Sequence, residues 1–351
     1  MNIIKQRFVL AGFISMALLA TACGSDSASE STTASPAATA AEASTTSAAS
    51  ADPTTTQAAA PATDAPADIS GDIAIDGSST VAPLMKLTAE SFQDANSGVT
   101  VAVGTSGTGG GFEKFCAGET DISDASRPIK DTEIASCKAK GIEFYEVLVA
   151  NDALTVVVNP ENDWAKCLTV AQLKTMWAPE AEGTISNWNQ IDPSFPDQAL
   201  TLFGAGTDSG TFDYFTEVIN GKAKASRTDY NPTEDDNVTV TGVAGDKGAL
   251  GYFGFSYLET NIDKVKPVEV DGGAGCVAPS AAAVLDKTYT PLARPLFIYV
   301  AKTAAERPEV KAYVNYFVQN QDSLAKEALF VALSDDQKTE QATELAEVLK
   351  G

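Results

Sequence analysis

From Gly71 onward, short runs of β-branched and other apolar residues alternate with stretches whose apolar positions recur at helical spacing. That alternation predicts an α/β architecture with a largely parallel sheet. Strands are expected at 72–76, 99–103, 142–149, 154–158, 200–203, 250–253 and 297–300. Between them a helix is predicted over 81–96, with Pro83 in its first turn and Gly98 just beyond its end. A second spans 131–140, capped by Asp131 and stopped by Gly141. Others occupy 170–177 behind Thr169, 212–219 and 309–318. The stretch from Gly71 to Gly351 is longer than one core comfortably fills, so two lobes are expected.

The first 70 residues follow different rules. Lys5 and Arg7 precede a mostly apolar run from Phe8 to Ala22, and Ala20-Thr21-Ala22-Cys23 sets small residues before a cysteine. The run falls short of the ~20 residues a spanning helix needs. Residues 1–23 read as a lipoprotein export signal with Cys23 as the lipidated residue, which predicts a chain anchored on the outer face of the cytoplasmic membrane. Residues 24–70 hold Ala, Ser, Thr and Pro with six acids and no base, too little apolar bulk to offset the entropy of ordering. They are expected to be a disordered tether, reaching on the order of 40 Å if it behaves as a flexible coil.

An exported chain makes disulfides from the four remaining cysteines, Cys116, Cys137, Cys167 and Cys276. Three pairings are possible; the short separation of Cys116 and Cys137 favours that pair, with Cys167 joined to Cys276. A metal site is the rival use, but no C-x-x-C spacing supports it.

Charge and composition then narrow the chemistry. With 24 basic and 47 acidic side chains the formal charge is −23, and there is no histidine. A histidine general base, a Ser-His-Asp triad, a His-ligated metal and a His-held haem are excluded, and no cofactor is expected. Nucleic acid is not an expected partner of so acidic a chain.

Three polar loops share one local logic: a strand, a Gly/Ser/Thr turn, then a helix whose free N–H groups point back at the turn. The first is Asp76-Gly77-Ser78-Ser79-Thr80, which taken alone is best explained as a helix cap. The second is Gly104-Thr105-Ser106-Gly107-Thr108-Gly109-Gly110-Gly111, where glycines let backbone amides approach a ligand. It is no nucleotide P-loop, because Phe112 and Glu113 stand where Gly-Lys-Ser/Thr would be needed. The third, Gly206-Thr207-Asp208-Ser209-Gly210-Thr211, offers hydroxyls, an exposed amide and a carboxylate. To these is added Asp121–Pro128, where Pro128 holds Arg127 extended and the guanidinium fork suits a tetrahedral oxyanion.

Together the segments Asp76–Pro83, Gly104–Gly111, Asp121–Ile129 and Gly206–Phe215 resemble the phosphate-binding lipoproteins, the substrate-binding components of bacterial high-affinity (Pst-type) phosphate ABC transporters. Trp177-Ala178-Pro179-Glu180, Asn187-Trp188-Asn189 and Val243–Phe255 extend the likeness over nearly all of Gly71–Gly351. The resemblance implies a type II periplasmic-binding-protein fold of α/β class. Lobe one would be 71–150 plus 292–351 and lobe two 151–291, with phosphate in the cleft between them. It implies Ser79, Thr80, Ser106 and Ser126 as ligand contacts from lobe one, and Ser209, Gly210 and Thr211 from lobe two. It also implies a membrane permease with its ATPase as partners and a monomeric binding protein.

The pattern departs from the family in one respect. The best-studied members of the family carry a proton-accepting aspartate in an Ala-Ser-Asp segment and an arginine a few residues before Ser-Gly-Thr, where this chain reads Ala125-Ser126-Arg127 and has Ala205, with Asp208 instead. The expectation is that cation and carboxylate exchanged lobes, with Arg127 donating and Asp208, or else Asp124, accepting the phosphate proton. Two rival readings are a phosphatase or esterase at the same pocket, and a cell-surface adhesin or regulator that retains the fold.

Overall fold

The computed structural model describes residues 69–350. The leader at 1–23 and all of the tether except its last two positions lie outside the described residues; Ile69 already packs against the folded core.

The chain runs β1 (Gly71–Gly77), α1 (Ala82–Ala95), β2 (Val99–Gly104), α2 (Gly107–Ala117), β3 (Ile122–Ala125), α3 (Asp131–Ala139) and the long β4 (Phe144–Val158). It continues through β5 (Cys167–Thr169), α4 (Val170–Trp177), β6 (Thr201–Ala205), α5 (Gly210–Phe215), β7 (Asn231–Thr233), α6 (Asp236–Gly245), β8 (Ala249–Gly254) and α7 (Phe255–Asn261). After β9 (Lys266–Pro267), β10 (Glu269–Asp271), β11 (Cys276–Val277) and α8 (Ala281–Leu285), the chain returns along β12 (Ala293–Ala301) to α9 (Lys302–Ala305), α10 (Pro308–Glu327) and α11 (Asp335–Leu349).

The main sheet has the order β2-β1-β3-β12-β4-β8-β6-β7, with β9 beside β4. It is mixed rather than largely parallel. β1 pairs in parallel with β2 and β3, and β6 with β7 and β8, but β12 runs antiparallel to β3 and β4, and β4 antiparallel to β8. The reason is the returning strand β12, which inserts beside β3 from the opposite direction.

Two hydrophobic cores result. The first gathers residues from Ile73 to Ala150 and from Leu296 to Val348, among them Phe92, Phe112, Phe115, Tyr299, Tyr313 and Phe317. The second gathers residues from Ala153 to Leu292 around Trp177. That indole meets Phe215, Tyr230 and Tyr252 edge-on at 5.4, 5.4 and 4.9 Å, and Phe215 stacks on Tyr252 at 3.7 Å. Aromatic pairs of this kind add about 0.5–1.5 kcal/mol each beyond area burial. The chain crosses between the cores in β4 and returns in β12, and the crossings lie side by side: Ala153 opposite Ala293, Asp152 opposite Arg294, Asn151 opposite Pro295, Ala150 opposite Leu296.

Local expectations fail where tertiary partners intervene. The separate strands at 142–149 and 154–158 are one strand, because Asn151 and Asp152 find buried partners and need no loop. Glycines 107–111 are helical, not a loop. At Gly111 smallness serves packing, since a Cβ there would come within 2.5 Å of Gly77 Cα. Lys130, not Asp131, caps α3, and the Lys130 amide donates to Glu133 Oε2 at 2.8 Å. Helix α10 runs nine residues past 318, and α11, which the pattern did not indicate, starts at a Ser334–Gln337 capping box.

Disulfides join Cys116 to Cys137 and Cys167 to Cys276, linking α2 to α3 and β5 to β11. The sequence separations are 21 and 109. Loop-closure entropy makes the longer link worth about 1.5 kcal/mol more than the shorter. Urea unfolding of the Cys167→Ser, Cys276→Ser protein is expected to show a loss larger by that amount than Cys116→Ser, Cys137→Ser; equal losses would contradict the loop-length account.

Candidate functional site

The turn after β1 is organised first by its own hydrogen bonds. Ser78 Oγ accepts from the Thr80 and Val81 amides at 3.2 and 3.4 Å, so Ser78 fastens the turn that leads into α1. Ser79 and Thr80 are left half-buried against a cavity. Beside them the first turn of α2 is tied down by the Asp76 carboxylate, which accepts from the Ser106 amide at 3.0 Å, from the Ser106 hydroxyl, and from Lys114 Nζ at 2.6 Å. Burial works to raise the Asp76 carboxyl, but the Lys114 ammonium and the Ser106 donors outweigh it and hold the group below its ordinary value. This places Gly107, Thr108 and Gly109, with the positive end of an eleven-residue helix, on the cavity wall. Gly107 adopts φ +79°, a conformation that suits glycine.

Thr108 Oγ1 then accepts from the Ser126 amide at 3.2 Å and lies 3.1 Å from Ser126 Oγ, which joins α2 to the end of β3. Arg127 lines the cavity with its fork already engaged: Nη1 and Nη2 donate to Glu133 Oε2 and Oε1 at 2.9 and 2.7 Å. Lys130 stands nearby on the same wall.

The opposite wall comes from α5 and the wide helical turn after it, which supply Asp213, Tyr214, Glu217 and Val218. Burial pushes the Asp213 carboxyl up. Its Oδ1 is buried and accepts no hydrogen bond, with Lys224 Nζ 3.8 Å away. Arg294 closes the base from β12: Nη2 donates to Thr80 Oγ1 at 2.8 Å, and Nε pairs with Asp152 Oδ2 at 3.2 Å. The cavity has a volume of about 620 Å³. Hydroxyls, helix-end amides and three cations surround it, a donor set suited to an oxyanion.

Of the residues singled out in the sequence, Ser79, Thr80, Ser126 and Arg127 line this cavity. Ser106, Asp208, Ser209, Gly210 and Thr211 do not. Ser106 is spent on Asp76. Asp208 is exposed, with its amide directed to Glu234 Oε1 at 3.4 Å, because it lies outside the α5 helix rather than on its inner face. Ser209 caps α5 by accepting from the Thr211 amide at 3.1 Å. Gly210 abuts the first turn so closely that a Cβ there would meet Thr80 Oγ1 at 2.8 Å. Asp124 lies wholly buried behind Gly77, neither carboxylate oxygen has a partner, and burial pushes the group up to about 8. Sequence reasoning missed Arg294, Asp213, Glu217, Thr108 and Lys130. The first carried a usable signal: Arg294-Pro295 repeats the Arg-Pro pair that marked Arg127.

The architecture, two α/β cores joined by paired strands with an anion-suited cavity between them, is that of an extracytoplasmic solute-binding protein. A family model described as PBP superfamily domain matches residues 31–321. Protein SphX of Synechocystis sp. is 47% identical over 272 residues, 77% of this chain and 81% of that protein. The phosphate-binding protein PstS of Staphylococcus saprophyticus is 37% identical over 283 residues, 80% of this chain and 86% of its own length. A solved structure titled as a possible phosphate binding protein from Planctomyces limnophilus is 48% identical with a TM-score of 0.77, across 80% of this chain and 100% of that one. The chain belongs to the PBP superfamily and, within it, to the phosphate-binding protein family of Pst-type transporters.

The buried Asp124 makes stability pH-dependent in a calculable direction. Its folded-state value, about 8, lies above the ordinary 3.8, so the native state keeps a proton that the unfolded chain releases. The stabilisation from this group is full below about pH 4 and is lost as pH rises through about 8. Asp124→Asn is therefore expected to gain thermal stability relative to the parent as pH is raised from about 4 to about 9. Parallel melting-temperature curves for the two proteins would refute a protonated Asp124.

Proposed function

We propose that this chain captures inorganic phosphate outside the cytoplasm and delivers it to a membrane permease driven by an ATPase. The observation that carries the reading is the cavity between the two cores, where Thr80, the start of α2, Arg127 and Arg294 converge. The names of the PstS and Planctomyces relatives agree with it. In this reading 71–150 with 292–351 form lobe one and 151–291 form lobe two, a division supported by the membership of the two cores. Lipid on Cys23 holds the protein at the membrane through residues 24–70, and it works as a monomer. Among the described residues no helix is long and apolar enough to cross a membrane. Neither the phosphatase reading nor the adhesin reading is favoured by a specific observation.

The proton acceptor is reassigned within this reading. Asp208 stands outside the cavity, whereas Asp213 lines it opposite the donors, with Lys224 Nζ 3.8 Å from its Oδ1. Monohydrogen phosphate donates its P–OH proton to the Asp213 carboxylate; sulfate has none to give and sets two anions face to face. The overall charge of −23 repels the ligand at long range, so added salt screens that field and speeds capture.

Titration calorimetry on the purified protein is expected to show phosphate binding that excess sulfate does not displace. Arg127→Ala should weaken binding by about tenfold, the scale of a charge-assisted hydrogen bond. Asp213→Asn should erode the preference over sulfate, and Asp208→Asn should leave it intact. Equal affinity of the parent protein for both anions would remove the proton-acceptor argument, and a response confined to Asp208→Asn would return the role to that residue.

A further inference from the structure

The strands that carry the chain between the cores pair directly at the crossing, with Arg294 opposite Asp152. Asp152 is 7% exposed and the Arg294 side chain 12%, so their ion pair is shielded from water. Burial pushes the Asp152 carboxyl up, and the Arg294 charge works against that. The guanidinium has contacts on every side of the crossing. It donates to Thr80 on the turn after β1, which belongs to the first core. Its face lies 3.5 Å from the centroid of Tyr214, on α5 of the second core. The Tyr214 hydroxyl in turn donates to Pro291 O at 2.7 Å, just before β12 begins. Arg294 also lines the cavity, whereas Asp152 does not.

We propose that Asp152 is the positioning residue for Arg294: it pins the guanidinium at the strand crossing, aimed into the cavity, so that capturing the anion and drawing the lobes together are one event. This rests on the phosphate reading. Five N–H groups are available on the guanidinium; Asp152 takes the one on Nε and Thr80 one on Nη2, which leaves the remaining Nη donors for the ligand. Because the same planar group contacts Thr80, Tyr214 and the strand ribbon, a change in the angle between the lobes must alter at least one of these contacts. Ribbon stability alone does not call for the charges, since well-packed apolar residues at the two positions would hold as well as a buried ion pair. What the charges supply is a fixed cation at a place that touches both cores.

The test is calorimetry with inorganic phosphate, with small-angle scattering with and without it, on the parent protein, Asp152→Asn, Asp152→Glu, Arg294→Gln and the double variant Asp152→Asn, Arg294→Gln. Asp152→Asn is expected to weaken binding by about tenfold or more and to shrink the phosphate-induced contraction. Asp152→Glu should recover most of both. The double variant should bind no worse than Arg294→Gln alone, because Asp152 acts only through Arg294. That last comparison holds even if Asp152→Asn by itself does not fold. Unchanged affinity and contraction in a folded Asp152→Asn, or a double variant much weaker than Arg294→Gln, would overturn the assignment while leaving phosphate binding in place. A parent protein that binds no phosphate would overturn the functional reading and this assignment with it.

Discussion

Everything about the cavity depends on how two strands pass from one hydrophobic core to the other. β4 and β12 are held to each other over the crossing by backbone pairing, and on its other edge β4 is held by Val331, whose amide and carbonyl exchange bonds with Asn151 at 2.9 Å each. The Asn151 side chain adds a reciprocal pair with Gln337 at 3.0 Å in both directions. On the cleft side the Asp152–Arg294 pair completes the arrangement. Removing one partner of a buried pair of this kind costs about 3–5 kcal/mol, because the other charge is left without water or counter-charge. The walls of the cavity are therefore placed by a ribbon pinned on both edges, and the loops that carry the hydroxyls are set by what packs behind them.

An acidic chain that binds an anion must do so at short range. Two of the site's cations are already committed before any ligand arrives, Arg127 to Glu133 and Arg294 to Asp152. This pairing removes their pull at a distance, but it also fixes two flexible side chains, so less ordering entropy remains to be lost on binding. The remaining attraction comes from dipoles: the start of α2, held by Asp76, and the hydroxyls of Ser79, Thr80, Thr108 and Ser126. Such groups act over a few ångströms and through direction, so fit rather than net charge sets what is retained.

What could be read from the residues was whatever is decided locally. The polar turn leading into α1, Thr169 as the cap of α4 and the strands flanked by turns depend on neighbours within a few positions. β4 could not be read as one strand, because Asn151-Asp152 looks like a turn until Val331, Gln337 and Arg294 arrive from far along the chain. The glycines of α2 look like a loop because glycine is a poor helix former; contact with Gly77 explains Gly111. Asp208 and Asp213 are five residues apart, and which of them faces the cavity is settled by the start of α5 at Gly210, a boundary the pattern placed two residues later.

The two walls of the cavity differ in kind, and that difference defines the guest. The wall on the first core's side and the crossing supply donors: hydroxyls, helix-end amides, Arg127, Lys130 and Arg294. The wall on the second core's side, from α5 and the wide helical turn after it, supplies acceptors, Asp213 and Glu217. A fully ionised anion satisfies the first wall and repels the second. A neutral acid relieves the second but brings no charge to the donors of the first. An oxyanion that still carries one proton satisfies both, accepting from one side and donating to the other, and monohydrogen phosphate is such a species at neutral pH.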